Sequence, residues 1–238
     1  MRLQRLVATI SAAAVGAYVP PNMELPTSWI DVSQTLLTPL AFRSEGASAL
    51  EGTDDVSSTI CVDAASVIRQ HSGAHGCIAF AVRRPGWVLC REEGRTLAEL
   101  AARDDKPLEG FGIFGVVKEV GIDDPGLYEF YTNYFSYPIY KDESQTFYKA
   151  LGSRKLKLGT WNPIKIFRGM RDVYKRLSKK NISGNYKGEG LVQGGVIVFD
   201  AAGKARFAYR EETGSELPVD DIIAVVQELR AESVSRRS

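Results

Sequence analysis

The stretch Cys77-Ile78-Ala79-Phe80-Ala81-Val82, running straight into Arg83-Arg84-Pro85-Gly86-Trp87-Val88-Leu89-Cys90, decides how this chain of 238 residues is read. Its apolar residues follow one another without polar alternation, which describes a strand covered on both faces. Arg83-Arg84-Pro85-Gly86 breaks that run. From Leu89 to Ala102 the apolar positions Leu89, Leu97, Leu100 and Ala101 share one side, with Arg and Glu opposite, so an amphipathic helix follows. Gly110 to Val117 is a second continuous apolar strand. A buried strand, a tight turn, a helix and a second buried strand make a parallel pair with a covering helix.

The same reading extends outward in both directions. Val62 to Gln70 suits a short helix, and Asp123-Asp124-Pro125 starts another that carries Leu127, Phe130 and Tyr131. Tyr137 to Tyr140 reads as a short strand and Glu143 to Leu151 as a short helix. Past a long basic stretch, Gly194-Gly195 opens a third buried strand, Val196 to Phe199. The turn Ala201-Ala202-Gly203-Lys204 leads to an antiparallel partner, Ala205 to Arg210, and Pro218 to Leu229 forms a closing helix. Alternating strands and helices, then a hairpin and a helix, predict an α/β fold: a thioredoxin-like three-layer sandwich with a mixed central sheet. A basic helical insertion covers about residues 153–190.

The remaining segments divide the chain further. Residues 1–23 begin with Arg2 and Arg5, continue with the apolar run Leu6 to Val19, and contain no acid. The pattern is that of a signal or transit peptide, pointing to a plastid, a mitochondrion or the secretory pathway, with the cytoplasm as the alternative. The run is too short to span a bilayer. Residues 24–60 read as a linker or loosely ordered arm, 61–232 as the folded domain and 233–238 as a tail. The formal net charge of +1 is a cancellation. Lys149 to Lys187 holds 12 basic residues against the single acid Asp172, so the rest of the chain is acidic by about ten charges. Ile166, Met170, Val173 and Leu177 fall at helical spacing within that stretch. From Pro163 to Leu177 this predicts an amphipathic basic helix, and the basic segment 154–180 packs on the domain or meets an anionic surface. No nucleic-acid module is present, and none is expected to bind.

Chemistry is concentrated at one residue. Cys90 falls where the turn becomes a helix, facing the positive end of the dipole and unpaired backbone N–H groups. Arg83, Arg84 and Arg91 add positive charge, so the thiol is expected to ionise easily, with burial as a packing thiol as the alternative. Cys77 lies on the apolar strand and Cys61 before the first helix; either is a possible second thiol for Cys90. Three cysteines are too few for a disulfide-stapled fold, and His71 and His75 offer little to a metal. No nucleotide-binding or G-x-S-x-G motif is present, so neither a metal nor an organic cofactor is expected.

The segment Ala81 to Glu93 resembles the active-site segment of the peroxiredoxin-like 2 family, a branch of the AhpC/TSA-type antioxidant proteins. So do Phe147 to Lys155, Gly184 to Gly190 and Gly194-Gly195-Val196, and together the resemblance spans roughly Gly76 to Arg230. It implies thiol-dependent redox chemistry, with a small peroxide and a thiol reductant as partners. It also implies Cys90 as the reactive residue, with Arg83, Arg84, Pro85 and Arg91 around it. Family members typically carry Cys-x-x-Cys at this turn, whereas this chain has Trp87 in the first position. Closure of a disulfide within the turn is therefore impossible. What stays open is single-cysteine chemistry with an external thiol, resolution by Cys61 or Cys77, or a binding module that has kept the fold and lost the activity.

Overall fold

The computed structural model describes residues 30–42, 50–51, 61–154, 171, 173 and 175–235. The leader expected over residues 1–23 lies outside them, as do Ile166 and Met170 of the basic stretch. Nine strands are described: β1 Leu36–Pro39, β2 Ala41–Phe42, β3 Leu50–Glu51, β4 Val62–Asp63, β5 Gly76–Val82, β6 Phe111–Val117, β7 Ile139–Lys141, β8 Gly195–Asp200 and β9 Ala205–Arg210. The helices are α1 Ala64–His71, α2 Val88–Ala102, α3 Asp124–Asn133, α4 Thr146–Ala150, α5 within 171–179, and α6 Val219–Ser235.

The main sheet has seven strands in the order β4-β1-β7-β6-β5-β8-β9. β5, β6 and β7 run parallel, whereas β8 and β9 join antiparallel beside β5. With α2 between β5 and β6 and α6 after the hairpin, this is the thioredoxin-like order expected from the sequence. All of β5 is buried, as its unbroken apolar run requires. Alternation along it separates two cores. Ile78, Phe80 and Val82 face α2, α3 and α6, while Cys77, Ala79 and Ala81 face α1 and α4.

Two sequence expectations are corrected. Part of the stretch read as a loose arm is built into the sheet: β1 pairs antiparallel with β7 and with β4, and Ile30, Val32 and Leu37 are buried in the α1-side core. Too short to show a period on its own, β1 is recruited by the open edge of β7. The last helix runs to Ser235, into the segment read as a tail. The described part of the basic insertion packs on the domain, with Leu177 and Ile182 in the α2-side core. No helix among the described residues is long and apolar enough to cross a membrane.

Candidate active site at the β5–α2 turn

The chain leaves β5 at Val82 and must reverse onto the α2-side face within a few residues. Pro85 fixes one backbone angle, and the Trp87 amide donates to Arg84 O at 3.0 Å to close the turn. Gly86 is required by crowding: a Cβ there would lie 2.4 Å from both Asn185 Oδ1 and Asp123 Oδ2. Trp87 caps α2 without a side-chain hydrogen bond. Cys90 is therefore the third helical residue, as the sequence placed it.

Its surroundings differ from that expectation. Cys90 has no exposed surface. Burial pushes its thiol up to about 12, reinforced by the charges of Glu211 and Glu93; Arg83 and the Arg84 backbone N–H pull the other way. The helix dipole is worth a few tenths to one kcal/mol where solvent can screen it, and full desolvation of a thiolate outweighs that. The easily ionised thiol read from the sequence is corrected to one held protonated.

Around the sulfur lies a compact charged group. The donor atoms of Cys90, Glu93 and Glu211 fall within 4.8 Å of one another. Glu93 sits one helical turn beyond Cys90 on α2, and Glu211 follows β9. Arg83, 2% exposed, brings Nη2 to 3.2 Å from Glu211 Oε1 and donates through Nη1 to Thr213 Oγ1 at 3.3 Å. Gln193 Nε2 donates to the same hydroxyl at 3.1 Å, and the Gly194 amide donates to Glu211 Oε2 at 3.0 Å. The donor set is of a kind that binds metals, but the Arg83 guanidinium already supplies the counter-charge a cation would bring. We read it as a cluster that holds protons. Burial, then the charge of Glu211, raises the Glu93 carboxyl well above the usual carboxylate range.

Trp87 stands beside this group. The Arg84 guanidinium lies 4.7 Å from its ring centroid and that of Arg83 5.2 Å, while Tyr186 meets the ring edge-on at 4.9 Å. Arg83 Nε, Arg84 Nε and Trp87 Nε1 are buried without an acceptor among the described residues. A strap formed by residues 183–188 closes over the turn. Asn185 donates its amide to Gly86 O at 2.7 Å and its Nδ2 to Asp123 Oδ2 at 2.8 Å. Arg84 Nη1 donates to Tyr186 O at 2.7 Å, and Arg91 Nη1 to Ser183 O at 2.8 Å. Arg91 also binds Glu129 at 2.6 Å and Pro85 O at 3.2 Å, so it holds the turn and strap together and is committed to that role.

The other two thiols are not brought to Cys90, and the expectation that either resolves it is corrected. Cys77 points to the opposite face of the sheet, its Sγ 3.7 Å from Ile68 O. Cys61 is exposed beside β4, at the far edge of the sheet. Four strand spacings separate β4 from β5, roughly 19 Å, far beyond disulfide reach.

Glu93 was legible as a residue at i+3 from Cys90. Glu211, Thr213, Gln193 and the strap were not, because only the hairpin and insertion bring them to the turn.

The chain is similar in sequence to known proteins. The family described as AhpC/TSA antioxidant enzyme matches residues 96–213, beginning within α2 just past Cys90. The chain is 32% identical to chicken (Gallus gallus) Peroxiredoxin-like 2A over 162 residues, 67% of each chain. It is 30% identical over 155 residues to human (Homo sapiens) Prostamide/prostaglandin F synthase, covering 64% of this chain and 75% of that one. Among solved structures, Mycobacterium tuberculosis AhpC superposes with a TM-score of 0.47 at 12% identity, over 85% of this chain and 92% of the other. With the resemblance of Ala81–Glu93 and these relatives together, the chain belongs to the peroxiredoxin-like family of AhpC/TSA-type antioxidant proteins, a family of thiol-redox function.

Proposed function

We propose that the protein reduces a small peroxide at the expense of an external thiol, with Cys90 Sγ as the single redox atom. The observation that supports this most is the pairing of a buried thiol with a turn that carries buried N–H donors lacking acceptors, at Arg83, Arg84 and Trp87. Such donors suit the oxygens of a peroxide and the negative charge that develops on the departing one. The sulfur takes the terminal oxygen, the O–O bond breaks, and the products are a sulfenic acid at Cys90 and an alcohol or water. One external thiol then forms a mixed disulfide with release of water. A second thiol restores Cys90 and leaves as the external disulfide. No second cysteine of this chain is used, consistent with the positions of Cys61 and Cys77. The strap must lift for each of these partners to reach the sulfur.

The test is peroxide consumption with a thiol reductant by the wild-type protein and by Cys90→Ser. Turnover is expected from the first and loss of at least a hundredfold in the second; equal turnover in both would sink the reading.

A second reading is favoured by a specific observation: Cys90 is fully enclosed and its thiol is pushed up to about 12. On this reading the fold serves as a binding module, with Trp87 filling the place of the family's first cysteine. Absence of turnover from the wild type with any peroxide, together with a Cys90 that resists alkylation in the folded protein, selects it.

A further inference from the structure

We propose that Glu93 is the proton acceptor of Cys90, with Arg83 and Glu211 as the ion pair that fixes its place. The inference deepens the peroxide-reducing reading of the same site and rests on it for its role in turnover. The geometry carries it. Cys90 and Glu93 lie one turn apart on the same face of α2, and their donor atoms are within 4.8 Å. Neither is open to water, Glu93 being 5% exposed. A thiol enclosed in this way has no solvent base to take its proton, so the base must come from the protein.

Of the two carboxyls near the sulfur, Glu211 is engaged by Arg83 at 3.2 Å and by the Gly194 amide at 3.0 Å. That fixes its position and occupies its oxygens. Glu93 is more basic than an ordinary carboxylate, because burial and the neighbouring Glu211 disfavour its ionised form. The other charges that face it are Arg83 from the end of β5, Glu92 on α2 and Arg176 from α5; Arg176 is itself bound to Glu92 at 2.8 Å. From β9, the Tyr209 hydroxyl is raised by burial and by the charge of Glu93. The raised carboxyl is thereby a stronger base toward the enclosed thiol than an ordinary carboxylate is.

The step balances as follows. The Cys90 proton passes to the Glu93 carboxylate, and the thiolate attacks the terminal peroxide oxygen. The O–O bond breaks, and the Glu93 proton passes to the departing alkoxide. Glu93 returns to its carboxylate, and the net change is thiol plus peroxide to sulfenic acid plus alcohol.

The test is the pH dependence of Cys90 alkylation by iodoacetamide, read at that residue by peptide mass spectrometry. An unassisted thiol that ionises near pH 12 reacts tenfold faster with each unit of pH. A thiol served by Glu93 reaches a plateau once that carboxyl is ionised. The wild type is expected to show the plateau, with a solvent deuterium isotope effect; a slope of one at every pH measured overturns the proposal. Glu93→Gln is expected to lose the plateau and to slow there by about a hundredfold, the usual worth of a general base. If Glu93 acts only through its charge, removing it lowers the thiol pKa and speeds the reaction, which also overturns the proposal. Melting curves show that the variant is folded, and the wild-type profile decides in any case. Peroxide turnover is measured alongside. Its absence defeats the redox reading while the alkylation profile still decides on Glu93.

Discussion

A cysteine at the start of a helix is usually argued from the helix dipole, and at Cys90 that argument loses to burial. Arg83 pairs its charge with Glu211, and Thr213 accepts from Arg83 and Gln193, while Arg83 Nε, Arg84 Nε and Trp87 Nε1 stay without acceptors among the described residues. The result is a protonated sulfur in a charge-balanced pocket. Cys77 shows the same physics. Burial pushes it up to about 12 from an ordinary value of 9, on the face of the sheet away from the site. The unfolded chain loses that proton near pH 9 and the folded chain does not until about 12. Between those values the folded state holds the extra proton, so stability falls as pH rises. The loss grows by about 1.4 kcal/mol for each unit above pH 9. In urea titrations from pH 8 to 11, Cys77→Ala is expected to show a shallower decline than the wild type. Identical slopes would show that the Cys77 thiol is not protected.

At the scale of elements, the strap and α5 explain why the insertion exists as part of this domain. Arg176 and Lys180 place their charges on Glu92 of α2 at 2.8 and 2.7 Å, and Leu177 enters the core. Arg176 and Lys180 of the basic stretch are thus directed to α2. Lys180 also binds Glu216 at 3.2 Å. Beyond α5, residues 183–188 cross the turn and are held by Asn185, Arg84 and Arg91. Asn185→Ala removes the bond to Asp123 and the one the Lys187 amide donates to Asn185 Oδ1, and leaves the backbone bond to Gly86. Each such hydrogen bond is worth about 1 kcal/mol. Hydrogen exchange of the amides in 184–188 is therefore expected to accelerate at least about fivefold, with the protection of β5 unchanged. No change in the strap would mean that the other contacts alone hold it.

At the scale of the molecule, the sheet extends further toward the N-terminus than the domain read from the sequence. Leu37 of β1 has no exposed surface and packs with Val67, Phe114 and Tyr140 in the α1-side core. Leu37→Ala is expected to cost about 2–5 kcal/mol, as in other well-packed cores. Chemical denaturation that finds less than about half a kcal/mol would return this segment to the status of a loose arm. The wider arrangement puts Cys61, Cys77 and Cys90 at a sheet edge, on one face and on the other, so no internal disulfide joins them without unfolding. On the peroxide-reducing reading proposed above, this topology leaves an external thiol as the partner for Cys90.

The sequence by itself determined the α/β order. The apolar runs of β5, β6 and β8 are too long and unbroken for anything but central strands, and the turn from Arg83 to Trp87 has one way to enter α2. It also determined that Cys90 stands at the start of that helix and that Trp87 removes a disulfide within the turn. It did not determine β1, whose four residues carry no period and are fixed only by pairing with β4 and β7. Nor did it determine the state of the thiol. Proton affinity depends on what surrounds the sulfur in space, and Glu211 reaches it from a distant part of the chain. Local sequence sets the dipole and the neighbouring arginines, whereas desolvation belongs to the folded molecule, and at Cys90 desolvation is the larger effect.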